Sequence, residues 1–313
     1  MNYEEFVEWL KEVITECLKE IKPQMGDVKF YIRKETKINL ERDSIVIKAD
    51  LFDDIQPTLN LNDLYAMYQE MNNEEAFCRH MKKTLQRGIE DMPVKPLHAI
   101  KNLPQKVIMQ VINTRQNEKF LLTCPHREFL DLSIIYRLYV DSNEAGDYTC
   151  IVTNNMMREC NLTEEELYQA AYVNTRSMHP ECILDLCELL DLFAEDASSR
   201  EQIRSVVLTN DNKQFAACYM LYPDILETIA EYFANDLYLL PSSLHELIII
   251  PKHDMEDEAK NLSQIVLEAN FTQLLLEERL SNEVYSYSRE TKKVSQVTDV
   301  AYKALDGTPP GFY

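Results

Sequence analysis

The chain has 313 residues, 45% of them hydrophobic and 27% charged, with only 5 glycines and 12 prolines, so it holds apolar material for one or two packed cores. No window approaches about 20 uninterrupted apolar residues, so no membrane span is expected. Glu4, Glu5 and Glu8 stand where a secretory signal needs a basic and then an apolar region, so the expected location is the cytoplasm.

The apolar positions Phe6, Val7, Leu10, Val13, Ile14, Cys17, Leu18 and Ile21 follow helical spacing, and Pro23 stops it. Residues 29–35 and 44–52 are rich in β-branched and aromatic side chains and predict two strands paired antiparallel. Helices are expected over 61–71 and 74–89, completing an N-terminal α+β lobe, 1–92. Pro96 and Pro104 interrupt a stretch of little periodicity, which marks 93–105 as a linker.

A C-terminal α+β lobe is expected over 106–298. It starts with strands at 106–112, 132–140 and 148–153, the last two joined by a turn-rich stretch containing Asn143 and Gly146. Thr163 and Glu166 form a capping-box pattern that opens a helix reaching about 176, and a further helix is expected over 181–194. The rest reads as strands 205–209 and 215–221, helix 223–234, strands 237–240 and 247–250, helix 254–276, and strands 284–288 and 293–297. Residues 299–313 read as a flexible tail. Short strands in pairs, with helices after them, imply an α+β fold of mainly antiparallel sheets covered by helices, in two lobes.

The net charge is −21, and it is lopsided: residues 1–104 carry −4 and residues 105–313 carry −17. Such a surface repels phosphates, so direct nucleic-acid binding is not expected, whereas a protein partner with a basic surface would be attracted. The bland alternative is a well-solvated face, because the acids never form a long run. Eight cysteines without a Cys-x-x-Cys pair read as buried thiols kept reduced.

The box Pro241-Ser242-Ser243-Leu244-His245-Glu246 offers hydroxyl, base and carboxylate types within six residues, so Ser242, Ser243, His245 and Glu246 are the candidate catalytic residues. Catalytic triads normally converge from separated segments, which favours a structural turn instead. The fourth residue after His245 is Ile249, which removes the zinc-protease pattern. His179, Cys182 and Cys187 lack the spacing of a zinc site, and Cys124 near His126 reads as a buried thiol in a polar loop. The five glycines are isolated, so no phosphate-cradling loop exists, and neither a cofactor nor a metal is expected.

This box, with the segments starting at Asp131, Asn161, Leu267 and Leu280, resembles the domain-of-unknown-function family 5688 of Firmicutes over about 27–298. The resemblance implies a bacterial intracellular protein and brings no activity, cofactor or catalytic residue with it. The expected function is a non-enzymatic protein-binding or adaptor module with an acidic surface. The competing expectation is a hydrolase or transferase at the Ser-Ser-x-His-Glu box.

Thiol titration under denaturing, non-reducing conditions should find all eight cysteines free; a stable disulfide would overturn the cytoplasmic expectation.

Overall fold

The computed structural model describes residues 1–23, 26–48, 58–90, 100–143, 146–186, 205–241, 243–253 and 258–297. By contacts the chain divides into two compact units, Met1–Val94 and Lys95–Tyr313. Every strand pairing among the described residues is antiparallel, and the fold is α+β.

In the first unit, helix α1 (Tyr3–Ile21) starts at a reciprocal cap. Glu5 N donates to Asn2 Oδ1 at 2.9 Å and Asn2 N donates to Glu5 Oε2 at 2.9 Å. Strands β1 (Lys29–Lys37) and β2 (Leu40–Lys48) form a hairpin through a two-residue turn whose Asn39 has φ 63°. A short β3 (Thr58–Asn60), not foreseen in the sequence, pairs with β2, and Asn60 caps α2 (Leu61–Met71). With α3 (Glu74–Glu90), these elements enclose a core centred on Phe6, Leu10, Ile14, Ile45, Ile47, Phe77 and Met81.

The second unit holds two sheets. In one, the long β6 (Leu132–Asn143) pairs with β4 (Val107–Asn113), β5 (His126–Phe129) and β7 (Gly146–Ile151). In the other, the strand order is β13-β12-β10-β11-β9-β8, for Glu181–Asp185 (β8), Val206–Asn210 (β9), Leu237–Leu240 (β10), Leu247–Pro251 (β11), Tyr285–Ser288 (β12) and Lys293–Gln296 (β13). The longer helices of this unit are Glu164–Met178, Pro223–Phe233 and Glu258–Thr272. The expected capping box is present: Glu166 N donates to Thr163 Oγ1 at 3.2 Å and Thr163 N to Glu166 Oε2 at 2.8 Å.

Two expectations are corrected. Residues 181–185, expected to be helical, form β8, because each pairs with β9 in a register from Glu181↔Asn210 to Asp185↔Val206; sheet pairing overrides local preference there. Residues 215–221, expected to be a strand, form a 3-10 turn over Ala216–Leu221. A short buried apolar run has no periodicity to tell strand from helix. Strand β5 was also not foreseen. Of the expected linker, residues 100–105 are described, and there Leu103 is fully buried at the start of a short helix, Leu103–Lys106. The expected tail, 299–313, and most of the expected helix 181–194 lie outside the described residues.

A polar pin joins the two sheets of the second unit. Asp131, in the tight turn between β5 and β6, accepts from Tyr285 of β12 on one carboxylate oxygen and from Ser281 Oγ on the other at 2.9 Å. Burial and the Asp131 charge hold the Tyr285 hydroxyl far above its usual pKa, so it stays a donor. Tyr285→Phe should therefore leave an acceptor short of its donor and cost about 1 to 3 kcal/mol, read as a lower urea midpoint with an unchanged slope. An unchanged midpoint would show that the pin carries no stability.

Candidate functional site

The box that held the expected catalytic residues links β10 to β11. Ser242 lies outside the described residues. Ser243 is buried, and its Oγ accepts from His245 N at 3.0 Å, so this hydroxyl closes its own turn. The neighbouring backbone is tied on both sides: Leu244 N donates to Glu278 O at 2.9 Å, and Leu244 O accepts from Ala217 N at 3.2 Å. His245 is half-buried, and its Nδ1 accepts from Phe215 N at 3.3 Å, which fixes the proton on Nε2 in the neutral ring. Its ring lies 5.8 Å from that of Phe215. Among the described residues, no hydrogen bond joins Ser243 Oγ to the His245 ring. Glu246 is half-buried and acts on the ring only as a nearby charge.

Phe215 connects this box to a second group that the motifs did not single out. It has φ 55°, in the left-handed region that bulky residues avoid, and its ring lies under the Arg137 guanidinium at 4.6 Å. Arg137 comes from β6, on the sheet face that also carries Gln110 of β4 and Thr149 of β7. Its Nε donates to Thr149 Oγ1 at 2.8 Å and its Nη1 to Gln110 Oε1 at 2.9 Å. Both acceptors are neutral. Burial pulls the guanidinium down to about 10, so these contacts do not replace the water it lost, yet it stays charged at neutral pH. The sequence signal for this group was available: Arg137 is the one basic residue in the otherwise apolar run 132–140.

The adjoining loop carries a third group. His179 sits at the C-terminal end of the helix Glu164–Met178, with Nε2 3.6 Å from Asp147 and Nδ1 3.0 Å from the Asn212 amide. Asn212 also donates to Asp147, and the Tyr219 hydroxyl donates to the His179 carbonyl. His179 thus spends both ring nitrogens on the fold and none on Cys182; Cys187 lies outside the described residues. Cys124 is buried, its thiol is pushed up to about 11 by burial, and His126 Nδ1 donates to the Cys124 carbonyl at 3.1 Å and leaves the sulfur alone. That thiol is not an activated nucleophile. Among the described residues there is no cluster of three or more His, Cys, Asp or Glu able to hold a metal, and no helix is long and apolar enough to cross a membrane.

A groove of about 260 Å³ lies elsewhere in this unit, between the helix Pro223–Phe233 and the β12–β13 turn. Glu227, Ala230, Glu231, Tyr287, Arg289 and Glu290 line it. Tyr287 is only 1% exposed, and its hydroxyl has no hydrogen-bond partner among the described residues. Lys292 Nζ pairs with Glu227 at 2.5 Å on the rim.

The model of a family of unknown function, DUF5688, matches residues 3–289. The chain belongs to this family. No curated protein and no solved structure matches the chain. The segments whose residues carried the resemblance meet in space. Asp131 binds Ser281 and Tyr285, Tyr136 donates to Glu164, and Asn270 Nδ2 donates to Ser281 O at 3.0 Å. Ser281 N in turn donates to Pro241 O at 3.4 Å.

Burial holds both His179 and His245 below their usual pKa, against the pull of nearby carboxylates. The unfolded chain therefore takes up their protons first: stability is complete above about 6.5 and is lost as pH falls through the lower folded values. The melting temperature should drop between about pH 7 and pH 5. His245→Ala should destabilise the protein by about 1 to 3 kcal/mol at pH 7, because the Phe215 amide loses its acceptor, and should make the acid loss shallower. An acid slope equal to that of the wild type would show that His245 does not titrate with folding.

Proposed function

We propose that the protein is a non-enzymatic binding module that takes a basic segment of a protein partner on the acidic side of its second unit. The observation that carries this reading is the groove of Glu227, Glu231 and Glu290, with the Tyr287 hydroxyl buried beside them and lacking a partner among the described residues. A lysine or arginine side chain entering there would supply the missing donor and face the carboxylates of Glu231 and Glu290, beside Glu227, which Lys292 already pairs. The charge of −17 over residues 105–313 would steer such a segment inward and keep nucleic acid away. The encounter would take place in the cytoplasm, where Cys17, Cys78, Cys124, Cys150, Cys160, Cys182 and Cys218, all free, would stay reduced.

The competing reading, a hydrolase or transferase using Ser242 or Ser243 with His245 and Glu246, has less support. Ser243 Oγ and His245 Nδ1 are both engaged in holding the turn, so a base would have to work through Nε2 alone.

Fluorescence anisotropy with a labelled dodecalysine peptide tests the binding reading. Glu227→Gln combined with Glu231→Gln should weaken binding about five- to thirty-fold at low salt, and salt should weaken the wild type toward the variant. A control pair, Glu8→Gln with Glu12→Gln on α1, should change little. Equal affinity for both pairs would mean that the attraction is diffuse, and the groove reading would fail.

A further inference from the structure

The abundance of acid elsewhere makes the surroundings of Arg137 informative. Arg127 pairs with Glu164 at 2.7 Å and Glu165 at 2.5 Å, and Arg176 pairs with Glu181 at 2.5 Å and also with Asp224. Their carboxylates push both guanidinium groups upward. Arg137 moves the opposite way, and among the described residues no carboxylate pairs with it. A chain with 53 acids against 32 bases pairs two with each of these arginines and, among the described residues, none with Arg137.

The donors that remain point to what would sit there. Among the described residues, two of the five guanidinium N–H groups are used, by Thr149 and Gln110. Gln110 Oε1 accepts from Arg137, so the Nε2 of the same amide is buried next to the guanidinium. Gln110 is 1% exposed, and this Nε2 has no partner among the described residues. Phe215 covers one face of the guanidinium and Arg137 keeps part of its surface exposed, which leaves an incoming group the edge and the opposite face. An approach at the edge suits the flat fork of a carboxylate, and one positive charge suits one negative charge. We propose that Arg137 and Gln110 form a binding site for the carboxylate of a small acid, with Phe215 as the plate beneath it and His245 as the residue that positions that plate.

The site lies apart from the acidic groove and does not depend on it. Its test is the thermal response to sodium acetate against sodium chloride, each at about 100 mM, with sodium phosphate as a third arm. Acetate should raise the wild-type melting temperature by roughly 2 to 4 °C over chloride. Arg137→Met should lose that response. Gln110→Glu places a carboxylate beside Arg137 within the chain; it should melt higher than the wild type in chloride and ignore acetate. Should Arg137→Met fail to fold, Gln110→Glu decides alone. A similar acetate response in the wild type and both variants, or no response in the wild type, overturns the proposal. A response to phosphate but not to acetate overturns the carboxylate assignment.

Discussion

The backbone of residues 210–215 is the constraint on which the arrangement around the site depends. Lys213 and Phe215 both have positive φ, 51° and 55°, and two such residues in one short loop cost on the order of 1 to 3 kcal/mol each. The loop persists because its polar groups are held from within and without. Asn210 grips it with both ends of its side chain, accepting from Gln214 N at 3.0 Å and donating to Gln214 O at 2.8 Å. Asn212 is tied to His179 and Asp147, and Phe215 N is tied to His245. The sum turns the Phe215 ring under Arg137, a place that a relaxed backbone at this position would not give it.

That loop also explains why the box around His245 is built as it is. A histidine that accepts on Nδ1 from a main-chain amide is held in one tautomer and one orientation. Ser243 then closes the turn in front of it, and Arg279 pairs with Ser243 as an isolated bridge. Glu278, Ser281 and Asp131 extend the same set of hydrogen bonds to the other sheet. The segments that carried the resemblance are thus joined by hydrogen bonds inside the second unit.

How much of this the sequence disclosed follows from the kind of signal each part leaves. The α1 face, α2, the Thr163 cap and the pairing of two strands near 29–35 and 44–48 were legible because they are local, set by spacing, β-branched runs and two capping residues. The tight turn at Ile38-Asn39 was not, since 36–43 read as a polar connection. Strand β8 was not, because Glu181–Asp185 is extended only through its partner β9. The turn Ala216–Leu221 was not, because six apolar residues, five of them buried, look alike in either conformation. At the candidate site, the sequence drew attention to Ser242, Ser243, His245 and Glu246, whose residue types sit side by side. It passed over Arg137, Gln110 and Phe215, which come from distant positions and meet only through sheet register and loop strain.

Buried polar groups divide this molecule into spent and unspent valences, and the division bears on function more than residue type does. Tyr136 is spent on Glu164, Tyr219 on the His179 carbonyl, Tyr222 on the Tyr172 carbonyl at 2.6 Å, and Tyr285 on Asp131. Each of these hydroxyls is shifted to higher pKa by burial, so each donates and none acts as a base near neutrality. These four hydroxyls are therefore structural. Gln110 Nε2 and the Tyr287 hydroxyl belong to the few buried polar atoms without a partner among the described residues; the first lies beside the Arg137 guanidinium, and the second near Glu227 and Glu231 with Lys292 opposing them. An unmet hydrogen bond costs stability wherever it is buried. Where it adjoins a charge that is not fully neutralised, a ligand of the opposite sign can relieve both deficits at once, which is a physical condition for a binding site.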